Sequence, residues 1–162
     1  MKHTHRVYTK LGFFFAGLSV VLGAFGSHFL RDFISELDVA TFETGVRYQF
    51  MHALAIIVIS LAHRKFDESK LDIILGLFII GIIIFSGSLY LLATRELWGN
   101  DSFKVIGAVT PLGGLAFISA WTLLLFKGFP KEEAHSHKDD SSSNSSRRHR
   151  KHRNKTSEQE GV

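Results

Sequence analysis

The stretch GVRYQFMHALAIIVISL, residues 45–61, decides how the rest of the chain is read. From Ala53 onward it is apolar but for Ser60, as a membrane-spanning helix is, yet its first half carries Arg47, Tyr48, Gln49 and His52. Hydrocarbon offers no water to bond with, so such a cluster needs partners on neighbouring helices. The rest of the chain is read as the source of those partners.

Working outward, the 162 residues fall into two unlike parts. Residues 1–130 hold four long apolar blocks, and residues 135–161 contain no Ala, Val, Ile, Leu, Met, Phe, Trp or Tyr. A segment without apolar residues cannot offset its ordering entropy by burial, so a disordered tail is expected over 131–162. The chain has no cysteine, which excludes disulfides and thiolate metal sites.

Leu11 to Leu30 is free of Asp, Glu, Lys and Arg for 20 residues, about 30 Å as a helix and a match to the hydrocarbon core. A signal peptide is the rival reading of this basic-then-apolar start, with Ala24-x-Gly26 as its cleavage site. The length of the run favours a retained helix, and Gly12, Ala16, Ser19 and Gly23 recur at the spacing that close packing of membrane helices needs. Further helices are expected over 42–62, 71–93 and 105–126, with Asp38 or Thr41 capping the second and Gly99-Asn100-Asp101 turning the chain before the fourth. The fold class is therefore all-α, a four-helix transmembrane bundle.

Four spans put both termini and the 63–72 turn on one side. That side holds Lys2, Arg6, Lys10, Arg64, Lys65, Lys70, Lys127 and Lys131, against Arg31, Arg95 and Lys104 opposite, plus Arg47 if it snorkels outward. The excess predicts cytoplasmic termini. In that topology His28, His52, Ser86, Ser88, Tyr90, Thr110 and Pro111 share the outer leaflet, while the inner halves are nearly pure Ile, Leu, Val and Phe.

Tyr48, Gln49 and His52 share one helix face, and Arg47 is expected to pair with Glu43 one turn earlier. Gly17, Ala24 and His28 share a face that a neighbour could approach closely. Pro111, placed in the second turn of the fourth helix, leaves the carbonyl of Gly107 without its donor. The candidate polar cluster is His28, Tyr48, Gln49, His52, Ser86, Tyr90, Thr110 and Pro111. The two histidines could bind a metal or relay protons, or else fix helix register as neutral hydrogen-bonded groups. Two imidazoles fill half a tetrahedral zinc shell, with Glu43 the one acid near that end of the second helix, so the structural role is preferred and no cofactor is expected. No nucleophile–base pair marks an enzyme.

Four motifs in order carry a family resemblance: Leu22-Gly-Ala-Phe-Gly-Ser-His28, Thr44-Gly-x-x-Tyr48-Gln49-x-x-His52-x-Leu-Ala, Phe85-Ser-Gly-Ser-Leu-Tyr90, and Val109-Thr-Pro-Leu-Gly-Gly114 with Trp121. Over residues 11–128 the chain resembles the YgdD-type family, small four-helix bacterial inner-membrane proteins of unassigned function related to a small eukaryotic transmembrane family. The resemblance implies the fold and the membrane and draws attention to His28 and His52; it brings no substrate or reaction. Arg47 stands where that family can carry an acid, and the tail is an addition to its pattern.

The tail runs from His135-x-His137-x-Asp139-Asp140 through a Ser/Asn run to RRHRKHRNK, residues 147–155. On the cytoplasmic side Arg147–Lys155 is expected to meet anionic lipid headgroups. No aromatics are interleaved for base stacking, so specific nucleic-acid binding is not expected. The remaining expectations are a bilayer-embedded structural or accessory protein, with small-residue faces available to a homo-oligomer, or alternatively a small channel, transporter or metal- or proton-handling protein using His28 and His52.

Overall fold

The computed structural model describes residues 2–98 and 106–128. Expectations for the 99–105 loop and for the 131–162 tail, with its headgroup-binding Arg147–Lys155, lie outside these residues. The described part is all helical, with four helices long and apolar enough to cross a membrane. They are α1 (Lys2–His28), α2 (Glu36–Leu61), α3 (Glu68–Ala93) and α4 (Thr110–Lys127).

Three helices begin earlier than hydropathy alone places them, and for two of them the cap lies in a charged connection. Ser35, not Asp38 or Thr41, caps α2: its hydroxyl accepts the Asp38 N–H at 3.2 Å. Glu36 and Asp38 then place negative charge on the first turn, where the helix dipole favours it. Asp67 caps α3, accepting the Ser69 N–H at 2.9 Å and the Ser69 hydroxyl at 2.6 Å. These bonds hold the Asp67 carboxyl below the usual carboxylate range. The basic lead before Leu11 is helical from Lys2. Conversely, α4 proper begins only at Thr110, after a 3-10 turn over 106–108. Pro111 therefore stands in its first turn, where a missing N–H costs nothing, and it disturbs no helical interior.

The helices pack in chain order: α1 on α2, α2 on α3, and α3 on α4. Lipid tails are as apolar as leucine, so close fit rather than water expulsion holds such seams together. Two apolar clusters result. Ile56, Leu71, Ile74, Leu75, Phe78, Ile82, Phe117 and Ala120 fill the half toward the α2–α3 turn. Leu30, Ile34, Val39, Phe42 and Ala93 fill the opposite end. Midway along α3 the helix opens into a π turn, Ile82–Ser86. The π turn presents the backbone of Phe85 to α4 so closely that only Gly113 fits there; an added Cβ would collide with the Phe85 backbone.

At the α2–α3 turn end, the Tyr8 hydroxyl donates to the Asp72 carbonyl at 3.3 Å, and the Asp67 N–H donates to the Gly128 carbonyl at 2.8 Å. The rings of His5 and His63 stack there, 4.6 Å apart.

Candidate functional site

Between the two apolar clusters lies a layer of polar side chains contributed by all four helices. Gln49, buried on α2, uses both ends of its amide. Its Nε2 donates to the Phe15 carbonyl of α1 at 3.0 Å, and its Oε1 accepts the Tyr90 hydroxyl of α3 at 3.0 Å. One residue thus ties three helices. The Ser19 hydroxyl donates to the same Phe15 carbonyl, at 2.6 Å. Gly45, one turn before Gln49, lets the Tyr90 ring lie against α2: an added Cβ would stand 2.8 Å from it.

His52, one turn after Tyr48, faces α4. Its Nδ1 lies 2.8 Å from the Tyr48 carbonyl and its Nε2 lies 3.3 Å from the indole Nε1 of Trp121. A carbonyl only accepts and an indole N–H only donates, so one neutral tautomer satisfies both: Nδ1–H donates and the bare Nε2 accepts. The imidazole also stacks on Phe117 with centroids 3.6 Å apart. Both its nitrogens and one of its faces are taken.

A fourth interhelical bond of this layer joins α3 to α4. The Ser88 hydroxyl donates to the Phe85 carbonyl at 2.9 Å and meets the Thr110 hydroxyl at 2.8 Å, which leaves Thr110 as the donor of the pair. Ser86, in the π turn, is fully buried and its hydroxyl has no partner among the described residues.

The eight sequence candidates therefore do not form one site. Gln49 and Tyr90 bond directly, His52 lies beyond them toward α4, and Thr110 joins Ser88. Tyr48 is half-exposed, its ring against Phe85 at 4.7 Å. Pro111 starts a helix. His28 is exposed at the end of α1, with no hydrogen bond among the described residues, and does not join His52. Its face is the open one: Gly17 has nothing within 4 Å of an added Cβ, whereas Gly12, Ser19 and Gly23 turn toward α2. Arg47 and Glu43 form no ion pair with each other. Among the described residues, no group of three or more His, Asp or Glu is placed to hold a metal ion.

Sequence reasoning missed the strongest polar contact. Arg95, just past α3, grips the buried Asp38 with both nitrogens, Nη1 to Oδ1 at 2.7 Å and Nη2 to Oδ2 at 3.3 Å. Ser35 donates its hydroxyl to the same carboxylate at 2.7 Å, and Arg95 also donates to the Leu92 carbonyl. The signal was present in the two connections at this end, which offer Asp38 and Arg95 from helix ends that must be neighbours. Trp121, which entered above only with the fourth motif, proves to be the donor to His52 through its indole.

The profile of a family described as Protein of unknown function (DUF423) matches residues 22–114. The UPF0382 membrane protein YwdK of Bacillus subtilis is 37% identical over 121 residues, 74% of this chain and 94% of its own. A UPF0382 membrane protein of Haemophilus influenzae is 32% identical over 129 residues, 80% of this chain and 96% of its own. The UPF0382 inner membrane protein YgdD of Escherichia coli is 35% identical over 111 residues, 65% of this chain and 76% of its own. No solved structure matches.

Proposed function

Because the chain belongs to the DUF423 family and is a multi-pass membrane protein, we propose that it is a structural or accessory component of the inner membrane whose polar layer fixes how its helices meet. One observation carries this reading. Both ring nitrogens of His52 are engaged inside the protein, by the Tyr48 carbonyl and the Trp121 indole. A metal would have to displace the indole to reach the Nε2 lone pair, and a proton relay would have to break the same bond. The Lys and Arg bias toward the side of the 63–72 turn supports cytoplasmic termini, which would bring the basic tail to anionic headgroups.

A second reading keeps one observation in its favour. π turns concentrate at functional sites, and the buried Ser86 hydroxyl in this one has no partner among the described residues. A small transporter or metal- or proton-handling protein would use it together with His52, with His28 at the mouth.

Thermal unfolding of the purified protein in detergent, with and without Zn²⁺ and from pH 5 to 8, separates the two. On the structural reading His52→Ala costs about 2 kcal/mol through lost bonds and stacking, Trp121→Phe costs less, and Zn²⁺ leaves the wild type where it was. Zn²⁺ stabilisation that His52→Ala or His28→Ala removes would overturn it, since a ligand held only by the folded state must raise its stability.

A further inference from the structure

We propose that the groove between α1 and α2 is the docking face for a second copy of this chain, with Arg47 of each copy paired to Glu43 of the other. The polar layer plays no part in this; the inference rests on the opposite side of α2.

α2 is 26 residues long, about 39 Å, and Arg47 stands about 16 Å along it. With the helix spanning a hydrocarbon core of about 30 Å, the Cα of Arg47 lies about 7 Å or more inside it. The side chain either reaches back toward the headgroups or meets a counter-charge in the apolar layer. Arg47 is exposed there, and among the described residues neither it nor Glu43 makes a hydrogen bond or ion pair, though they are one helical turn apart. An ionised side chain in lipid needs a counter-charge. This one has to come from outside the described bundle.

The groove itself holds about 340 Å³ and is lined by Ser19 and Gly23 of α1 and by Glu43, Val46 and Arg47 of α2. Its floor is low, since an added Cβ on Gly23 would meet only Val46, at 3.4 Å. Glu43 also lines the adjoining pocket, with Arg31 and Glu36. The face thus carries two bases and two acids. Such a pattern is self-complementary: a two-fold axis brings every Arg47–Glu43 contact into being twice. A lipid phosphate would satisfy Arg47 and repel Glu43, whereas a second copy satisfies both. α1 also leaves the place open, because it packs mainly on α2 and exposes Phe14 and Val21 on its other side, while Val20 lines the groove.

The chain's lack of cysteine makes the test direct. Full-length protein carrying Val20→Cys, in the groove, is oxidised in membranes beside Ile118→Cys, on the exposed side of α4. The expected result is a disulfide dimer from Val20→Cys and none from Ile118→Cys. Adding Arg47→Glu or Glu43→Arg, which sets like charges face to face, cuts the cross-link roughly tenfold or more. Co-expressing the two charge-swapped chains under different tags restores it, as a mixed dimer. Arg47→Gln is the milder variant and also weakens the dimer. Equal cross-linking at both cysteines, a cross-link indifferent to Arg47→Gln, or swapped chains that do not recover together would overturn the proposal. So would a monomeric wild type, which would leave a headgroup as the counter-ion.

Discussion

Gln49 and Arg47 stand two residues apart on α2, about 160° around the helix from each other, in opposite surroundings. Gln49 is buried with both ends of its amide bonded to other helices. Arg47 is exposed, with no ion pair among the described residues. Asp38 and His52 share the inward side with Gln49, and each is fully engaged. In a bilayer, apolar contact hardly distinguishes a helix from lipid, so hydrophobicity alone does not say which side of α2 faces inward. The partnered polar groups say it. The face whose polar groups lack partners is then the face left for another molecule.

The sharpest way to break this contrast is at Asp38. Arg95→Ala leaves a carboxylate buried with only Ser35 to bond it, and breaking a buried pair of this kind costs about 3 kcal/mol or more. Arg95 is itself about a quarter exposed, which places the expected loss at the low end of that range. Denaturation in detergent reads it directly. Asp38→Leu with Arg95→Leu should cost less than Arg95→Ala alone, because no charge is left stranded. If the single variant were harmless, partnered charge would not be what orients α2.

Gln49→Leu comes next. It keeps the volume but leaves the Tyr90 hydroxyl without its acceptor and the Phe15 carbonyl without one of its donors, a loss of about 1–2 kcal/mol. Tyr90→Phe alone should cost less. The two together should fall short of additive, since they remove one shared bond. Full additivity in the same unfolding assay would mean that the Gln49–Tyr90 contact carries no coupling energy.

The fold was legible because four predominantly apolar runs of about 20 residues have one reading in so short a chain. The family followed from motifs whose residues now have physical reasons. Gly45 admits Tyr90, and Gly113 admits the Phe85 backbone. The site was only half legible. Spacing places Tyr48, Gln49 and His52 on one face, but three residues of rotation are enough to send Gln49 to α1 and α3 and His52 to α4. His28 misled because Gly17 and Ala24 look like a packing surface, and nothing in their spacing tells which helix, if any, lies opposite. Pro111 misled because hydropathy does not see the cap that starts a helix. Asp38 was hidden in a connection that the Ser35 cap draws into α2, and Arg95 in the turn just past α3.

The smallest effect is expected at Arg47. Arg47→Leu removes a charge that has no partner among the described residues and puts an apolar side chain where lipid or a second copy lies. Exposed positions without such partners change stability by about 0.5 kcal/mol or less, so the detergent-solubilised monomer should unfold as the wild type does. Its self-association should nevertheless weaken, because the counter-charge for Glu43 of the other copy is gone. This split between an unchanged monomer and a weakened dimer is what Gln49→Leu cannot produce, since its bonds lie within one chain. Were Arg47→Leu to destabilise the monomer as much as Gln49→Leu, Arg47 would have a partner inside the protein, and the two faces of α2 would differ in exposure but not in kind.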